Sequence, residues 1–268
     1  LGHSIGGMLA QEFALTFPEH VRGLVLYGTT GVLQFTSDGF NIATANTGIP
    51  AAHNVTTVAF SPDGTHAWGG TDRGRVVHLA GALPSSVGGG VVGPAWANPL
   101  TLPGFPITSI VAHPANAAVV AVTTAMNAGA AQVHITHDGG TGWHRIDNGL
   151  PVSPYLSAAW DPSSQTTLFV GTAAGVYVAR DLPAVGSLAA GAAAHPTWRT
   201  FNQGLPLVPV TDLEVHPVTQ TLRCATLGRG AFEVSLTGVT PAPFQFPAVR
   251  LDRDALDANA VLGGVLRG

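Results

Sequence analysis

Short hydrophobic segments recur along this chain, and each one ends in a residue that is followed by proline. The four copies are Phe60-Ser61-Pro62, Ala112-His113-Pro114, Trp160-Asp161-Pro162 and Val215-His216-Pro217. They recur roughly every fifty residues, a period typical of solenoids, propellers and other arrays of one structural unit. The pattern therefore predicts a repeated architecture before any single residue indicates an activity.

The third copy predicts four short strands, at residues 155–160, 168–172, 176–179 and 198–201. A Gly-hydrophobic-Pro triplet closes each copy: Gly48-Ile49-Pro50, Gly104-Phe105-Pro106, Gly149-Leu150-Pro151 and Gly204-Leu205-Pro206. Because Gly permits positive φ and Pro cannot donate to a ladder, each triplet is expected to end a strand. Four short antiparallel strands per repeat predict an all-β fold, namely a β-propeller of about four to five blades, complete or partial.

The two ends of the chain differ from the repeats. Apolar residues at helical spacing predict a short N-terminal helix that Pro18 ends: Ile5, Met8, Leu9, Phe13 and Phe17. We therefore expect three regions, with an N-terminal fragment at 1–30, propeller repeats at 31–238 and a Pro-containing linker or tail at 239–268.

Composition limits the possible functions. Hydrophobic residues make up 46% of the 268 residues and charged residues 10%, which is a globular composition. The net charge is −4 and no basic stretch is present, so no nucleic-acid partner is expected. No apolar run is long enough to predict a membrane span, and no cofactor is indicated. The single cysteine, Cys224, excludes an intrachain disulfide and falls in a predicted buried strand.

One segment between predicted strands three and four has a recognisable motif, Thr136-His137-Asp138-Gly139-Gly140-Thr141-Gly142-Trp143. It resembles the Asp box, Ser/Thr-x-Asp-x-Gly-x-Thr-Trp, of the sialidase-type (BNR) repeat family, with Gly142 in place of Thr. Degraded boxes carry Asp38, and Asp181 with the later Trp198. The resemblance covers roughly residues 24–238. It implies a propeller and favours an extracellular or periplasmic location.

In this family the box residues are structural. The resemblance implies that Asp138 accepts hydrogen bonds from a turn and that Trp143 packs between neighbouring sheets, with Thr136 and Gly140 completing the turn. A glycosidase would need two carboxyl groups facing across the scissile bond. The Phe-Arg-Ile-Pro sequence typical of sialidases is absent, and no tyrosine has an obvious Glu partner. The resemblance therefore implies a fold more directly than an activity.

The N-terminus carries a second motif. Gly2-His3-Ser4-Ile5-Gly6 is similar to the Gly-x-Ser-x-Gly nucleophile elbow of α/β-hydrolases, and the similarity continues to Thr29. In that family Ser4 would be the nucleophile, and the N–H of Ile5 would contribute to the oxyanion hole. The acid, the base and the oxyanion loop of a hydrolase are not recognisable, so residues 1–30 are interpreted as an elbow fragment.

Other polar groups are weaker candidates for a site. A cluster of three histidines and a carboxylate matches no standard zinc spacing, so no metal is expected: His134, His137, Asp138 and His144. Trp96 is a candidate for ligand contact. Three arginines in hairpin turns either line one propeller face or are simply solvated: Arg73, Arg75 and Arg229.

The sequence leaves three functions open. The first is a binding or interaction module for a glycan or a protein, without chemistry of its own. The second is an esterase-type serine hydrolase using Ser4, and the third is a glycoside hydrolase using propeller carboxylates. If the chain is an enzyme, it is therefore expected to be a hydrolase. If blades are missing, exposed sheet edges would favour oligomerisation.

Overall fold

The computed structural model describes residues 2–3, 26–27, 53–80, 97–127, 129–183, 196–237 and 243–246. Within these ranges every regular element is a β-strand, which confirms the all-β prediction for this part of the chain. The same residues include no helix with the length and apolar character needed to cross a membrane. The predicted N-terminal helix lies outside the described residues.

The first two strands, β1 (Gly2–His3) and β2 (Leu26–Tyr27), pair in parallel. Parallel neighbours need a crossover connection of a dozen or more residues, and residues 4–25 supply that length. This is the one parallel pairing among the strands that the structure describes.

Four antiparallel sheets follow, each a meander in which consecutive strands pair. Sheet I contains β3 (Val55–Phe60), β4 (His66–Thr71), β5 (Arg75–Ala80) and β6 (Ala97–Thr101). Sheet II contains β7 (Ile107–His113), β8 (Asn116–Thr124), β9 (Val133–Thr136) and β10 (His144–Arg145). Sheet III contains β11 (Tyr155–Trp160), β12 (Leu168–Thr172), β13 (Gly175–Ala179) and β14 (Arg199–Thr200). Sheet IV contains β15 (Val210–His216), β16 (Thr221–Thr226) and β17 (Gly230–Ser235).

A short segment continues sheet IV beyond β17. The Glu233 N–H donates to the Gln245 carbonyl at 2.6 Å, and the Gln245 N–H donates back to the Glu233 carbonyl at 2.7 Å. Phe244, the residue before this bridge, is buried and contacts Phe201 edge-on. Residues 243–246 therefore take the place along β17 that a fourth strand has in the other sheets.

Successive sheets pack face to face along the chain. The first strand of each sheet lies beside the first strand of the next, so that β3 contacts β7, β7 contacts β11 and β11 contacts β15. One cluster of buried apolar side chains fills each gap between neighbouring sheets. Four consecutive meanders with adjacent first strands are an arrangement consistent with a β-propeller.

In sheets I, II and III, the residue three positions before the repeat proline begins a cross-strand row that packs under the next sheet. We call it the packing row. Its members are Ala59, Trp68 and His78 in sheet I, Val111, Ala121 and Ile135 in sheet II, and Ala159, Phe169 and Val178 in sheet III. The middle residue is almost completely buried in all three sheets, which places these rows at the centre of the core.

The packing row of sheet I includes a polar member. The His78 ring stacks on Trp68 with centroids 3.6 Å apart, and its Nε2 lies 2.7 Å from Nδ1 of His66. Burial first, and then the neighbouring His66, lower the pKa of His78 to about 4. The imidazole is therefore neutral at pH 7 and packs as a flat aromatic ring.

Polar residues before the repeat prolines hold the turns between first and second strands. His113 Nδ1 accepts the Ala115 N–H at 3.0 Å, and His216 Nδ1 accepts the Thr219 N–H at 3.2 Å. Asp161 and Ser61 accept N–H groups in the same turns. The Ser, His and Asp side chains before the repeat prolines therefore all stabilise turns.

Two further expectations from the sequence are confirmed. The triplet glycines Gly104, Gly149 and Gly204 all have positive φ, between 80° and 97°. Cys224 is buried on β16, and burial raises the pKa of its thiol to about 11, which makes it an inert core residue.

Glycine allows the sheets to approach each other closely. A Cβ at Gly171 would overlap Ser157 Oγ and lie 2.9 Å from Val210 Cγ1 of sheet IV. The equivalent Gly70 would place a Cβ 2.5 Å from Ile107 Cγ2 of sheet II. By cross-strand register the matching residue of sheet IV is Ala225, which is exposed.

Gly171→Val is expected to lower the free energy of unfolding by about 1–3 kcal/mol, because overpacking forces the neighbouring strands apart. Ala225→Val is the matched control at the same repeat position, and its effect should stay within about 0.5 kcal/mol. Urea denaturation followed by tryptophan fluorescence measures both. Equal effects of the two substitutions would contradict the close approach of sheets III and IV.

Candidate functional site

The predicted Asp box lies between β9 and β10 and forms a closed set of hydrogen bonds. The buried Thr136 hydroxyl donates to Asp138 Oδ1 at 2.8 Å and accepts the Gly140 N–H at 3.0 Å. Asp138 Oδ1 also accepts the Gly142 N–H at 2.9 Å. The structure thus brings Thr136, Asp138 and Gly140 together around one turn, where the carboxylate binds backbone donors.

The electrostatics of Asp138 agree with this arrangement. Partial burial, the largest single cause, raises the pKa of the carboxyl group. Hydrogen bonds from the Gly142 N–H and the Thr136 hydroxyl lower the pKa, and together the hydrogen bonds outweigh the effect of burial. The net pKa lies below the ordinary value of 3.8. A general acid needs a raised pKa, so Asp138 is suited to holding a turn and not to donating a proton.

The tryptophans that follow these aspartates pack toward the preceding sheet. Trp143 meets Trp68 edge-on, with ring centroids 6.1 Å apart. In sheet III the Thr197 N–H donates to both carboxylate oxygens of Asp181, at 2.9 and 3.1 Å. The next residue, Trp198, donates its indole N–H to the Ile146 carbonyl of sheet II at 2.7 Å. Sheets II and III therefore share the same aspartate-to-backbone contact beside a packing tryptophan.

Several predicted residues lie outside the described part of the chain. These are Ser4 and Ile5 of the elbow, Asp38 of the first degraded box, and Trp96. What the structure does describe at the N-terminus is β1, which immediately precedes Ser4 in the sequence, and its parallel partner β2.

The structure gives the surroundings of two histidines of the candidate cluster. His134 is buried on β9 beside Gln132, and burial, the largest cause, lowers its pKa to about 4. Burial also lowers the pKa of His137, which follows the end of β9. No group of three potential metal ligands converges within the described ranges.

The outer face of sheet IV departs from the repeat, and sequence reasoning missed it. Here the packing row consists of Glu214, Arg223 and Glu233, directly opposite one another on β15, β16 and β17. The Arg223 side chain is 51% exposed and that of Glu233 is 27% exposed, whereas Phe169 at the middle of the same row in sheet III is 1% exposed. No following sheet covers these side chains among the described residues.

Charge on this face is unbalanced. Arg223 Nε lies 3.3 Å from Glu233 Oε2, and the two side chains form an ion pair. Asp212 lies two residues before Glu214 on β15, so both side chains point to the same side of the strand. Burial first, and then the Glu214 carboxylate, raise the pKa of Asp212, although the Leu213 N–H bonded to it has the opposite effect.

The sequence did contain a signal for this face. The residues three positions before the repeat prolines are Ala59, Val111, Ala159 and Glu214. Three small or apolar residues followed by a glutamate would have marked the last repeat as different. That Arg223 and Glu233 lie in the same row as Glu214 could be recognised only from the pairing of the strands.

Comparisons with known proteins identify no family for this chain. No family model matches it, and no curated protein matches it. A GH74 enzyme of Niastella koreensis is similar in structure, with a TM-score of 0.48 and 16% identity over 70% of this chain and 30% of that chain. The β-propeller domain of Myceliophteria thermophila Cps50 (Swd1) has a TM-score of 0.44 and 12% identity, over 72% of this chain and 57% of that chain. This chain therefore spans less than two thirds of the length of either of these two proteins. Its fold is defined by its own sheets.

Asp138→Ala is expected to destabilise the protein by about 1–2 kcal/mol at pH 7, because two hydrogen bonds to the carboxylate are lost. The folded-state pKa is lowered, so the stabilisation is complete above the unfolded pKa and disappears as pH falls through the folded pKa. The difference from wild type should therefore shrink below about pH 4. Urea denaturation at pH 7 and pH 3 measures it, and a pH-independent difference would contradict the role of the charge.

Proposed function

We propose that this chain is an Asp-box β-propeller repeat protein that acts as a binding module and presents the outer face of sheet IV to a protein partner. One observation carries the proposal. The middle residue of the packing row is almost completely buried in sheets I, II and III, but in sheet IV the row consists of charged residues, with Glu214 and Arg223 exposed and the Glu233 side chain 27% exposed. On this face, positions that lie in the core between the other sheets carry charged side chains instead.

Energetics support a surface role for this row. Burying these three charges under another sheet would cost several kcal/mol per ion, which their mutual attraction repays only with ideal geometry. The observed Arg223–Glu233 separation of 3.3 Å involves a single nitrogen and a single oxygen and is not a bidentate pair. The face is therefore suited to remain in water until a partner of complementary charge covers it.

The shape of the face favours a protein over a small ligand. Small-molecule sites are concave and mostly apolar, whereas this face is the surface of a three-stranded sheet. Its central residues are charged or small, with Ala225 and Ala231 opposite each other beside the charged row. Asp212, Glu214 and Glu233 outnumber Arg223, so the expected partner surface is basic. Such complementarity mainly accelerates association and selects the partner.

The double variant Glu214→Lys with Glu233→Lys is expected to abolish binding of that partner without unfolding the protein, because Glu214 is exposed and the side chain of Glu233 is partly exposed. Immobilised wild type and variant would be exposed to the same extract of the source cells, and retained proteins quantified by mass spectrometry. We expect wild type to retain at least one protein with a basic surface that the variant does not retain. The difference in retention between wild type and variant should be larger at low ionic strength, where salt screens the charges less.

Arg199→Glu provides the control, since Arg199 is an exposed charge on β14, away from the sheet IV face. This variant should retain the same proteins as wild type. If wild type, the double variant and the control retain identical sets at equal levels, the sheet IV face is not a binding surface.

Of the two enzymatic alternatives, the serine hydrolase has a specific observation in its favour. A nucleophile elbow joins a strand to a helix that leads to a neighbouring parallel strand. The parallel pairing of β1 with β2 on either side of the elbow sequence matches this requirement. For the glycosidase alternative, the described carboxylates of the box turns, Asp138 and Asp181, are occupied by backbone donors.

Labelling with a fluorophosphonate probe tests the hydrolase alternative. If Ser4 is an activated nucleophile, wild type should be labelled at a stoichiometry near one, and Ser4→Ala should not be labelled. Ser153→Ala is the control, because Ser153 is a buried loop serine that accepts the Ala173 N–H. Absence of labelling in folded wild type would contradict the serine hydrolase alternative.

A further inference from the structure

One edge of sheets I to IV collects two kinds of loop, the connections that lead into the first strands and the hairpins between second and third strands. In each of these sheets the N–H that follows the second strand donates to the carbonyl that precedes the first strand, in the pairs Asp72–Asn54, Ala125–Pro106, Ala173–Pro154 and Leu227–Pro209. We call these loops together the loop edge. Its described residues are 53–54, 72–74, 102–106, 125–127, 129–132, 146–154, 173–174, 201–209 and 227–229.

Hydrogen bonds between sheets align these loops along the array. Near the start of a first strand, a hydroxyl group donates to the carbonyl of the residue that begins the next first strand. The three bonds run from Thr56 to Ile107 at 2.5 Å, from Thr108 to Tyr155 at 2.6 Å and from Ser157 to Val210 at 3.2 Å. The first strands of the four sheets therefore begin side by side, and the loops form one continuous surface.

The loop edge exposes apolar side chains on three consecutive sheets. The exposed fraction is 78% for Val152, 78% for Leu207, 66% for Leu227 and 38% for Met126. The first two of these residues lie in identical Pro-x-x-Pro contexts. Because proline fixes φ, their loops are pre-organised and lose little freedom when a partner binds. Adjoining apolar side chains that are exposed in this way mark an interaction surface.

Charges on the loop edge are few and of both signs. Its described residues include two carboxylates and two arginines. Asp72 is next to Arg73 in the hairpin of sheet I, and Asp147 forms an ion pair with Arg145 of β10 at 2.6 Å. Arg229 is an exposed cation in the hairpin of sheet IV. The loop edge is thus close to neutral, and a second copy of it would meet no cluster of like charges.

Other surfaces of the array are acidic. The outer face of sheet IV, which ends the described array as a polar cap ends other repeat arrays, has three carboxylates and one arginine. On the opposite edge, carboxylates outnumber the neighbouring Arg180 and Arg199, and they are Asp63, Asp138, Asp161 and Asp181. The whole chain has a net charge of −4. Two copies therefore repel each other least when they meet at the loop edge.

We propose that the loop edge is an interface between two copies of this chain, in which Val152, Leu207 and Leu227 of each copy pack against the loop edge of the other. A two-fold contact uses the same patch on both copies, so a patch that is apolar and nearly neutral is complementary to itself. Association removes these side chains from water, which is the main favourable contribution to such contacts. The interface is independent of the proposed binding function, because the outer face of sheet IV is a different surface.

Sedimentation equilibrium of the full chain tests this interface. Wild type should show a monomer–dimer equilibrium between about 1 and 100 μM, the range in which the weaker interfaces of ordinary size dissociate. The double variant Val152→Ser with Leu207→Ser should raise the dissociation constant at least about tenfold, because a symmetric dimer loses each apolar contact twice. Both side chains are exposed in the single chain, so the circular dichroism of the variant should match that of wild type.

Val218→Ser is the matched control. Val218 is 84% exposed, but it follows Pro217 in a turn of the opposite edge, so this variant should dimerise like wild type. The variant Glu214→Lys with Glu233→Lys should also dimerise like wild type, since its substitutions lie on the outer face of sheet IV. Failure of the dimer and failure of the proposed binding function are therefore measured separately.

Several results would overturn the dimer. Wild type that sediments as a monomer over the whole concentration range would do so, as would a loop-edge double variant that dimerises as strongly as wild type. Equal weakening by Val218→Ser would mean that the loop edge is not the interface. Monomeric wild type that binds phosphatidylcholine vesicles through Val152 and Leu207 would identify a lipid surface as the occupant instead.

Discussion

The close approach of successive sheets is the constraint on which the rest of this structure depends. Sheets I, II and III each pack a cross-strand row under the next sheet, and this is why these rows contain Ala, Val, Ile, Phe or a stacked Trp–His pair. It also explains Gly70 and Gly171, where any Cβ would meet the neighbouring sheet. The tryptophans that follow the turn aspartates, together with Phe244, add to this packing at the outer strands. Each contact between two neighbouring sheets therefore contributes to the stability of the array.

Much of this fold could be predicted from the sequence, because its signals are local. The X-Pro turns recur at a regular period, and the Ser, His or Asp before each proline accepts a nearby N–H in its own turn. The glycines of the closing triplets need positive φ, which the sequence also indicates. Strands bounded by such turns were placed within one or two residues in the third repeat.

The features that escaped prediction depend on register between distant residues. Glu214, Arg223 and Glu233 are about ten residues apart, and only antiparallel pairing of β15, β16 and β17 brings them into one row. Phe244 lies in a proline-containing segment with no strand pattern, yet one hydrogen-bonded bridge places it against Phe201. Likewise, the resemblance of residues 136–143 to an Asp box is visible in the sequence, but the lowered pKa of Asp138 follows from the donors that the turn supplies.

The charged face of sheet IV has properties that a simple cap does not require. A cap needs only polarity, and polar side chains of balanced charge would provide it at no electrostatic cost. This face instead places the Asp212 and Glu214 carboxylates on one side of β15, and the raised pKa of Asp212 means that folding disfavours its charged form at neutral pH. A cationic partner group beside Asp212 would remove that penalty. Under the proposed function, binding of a basic partner would therefore favour the charged form of Asp212.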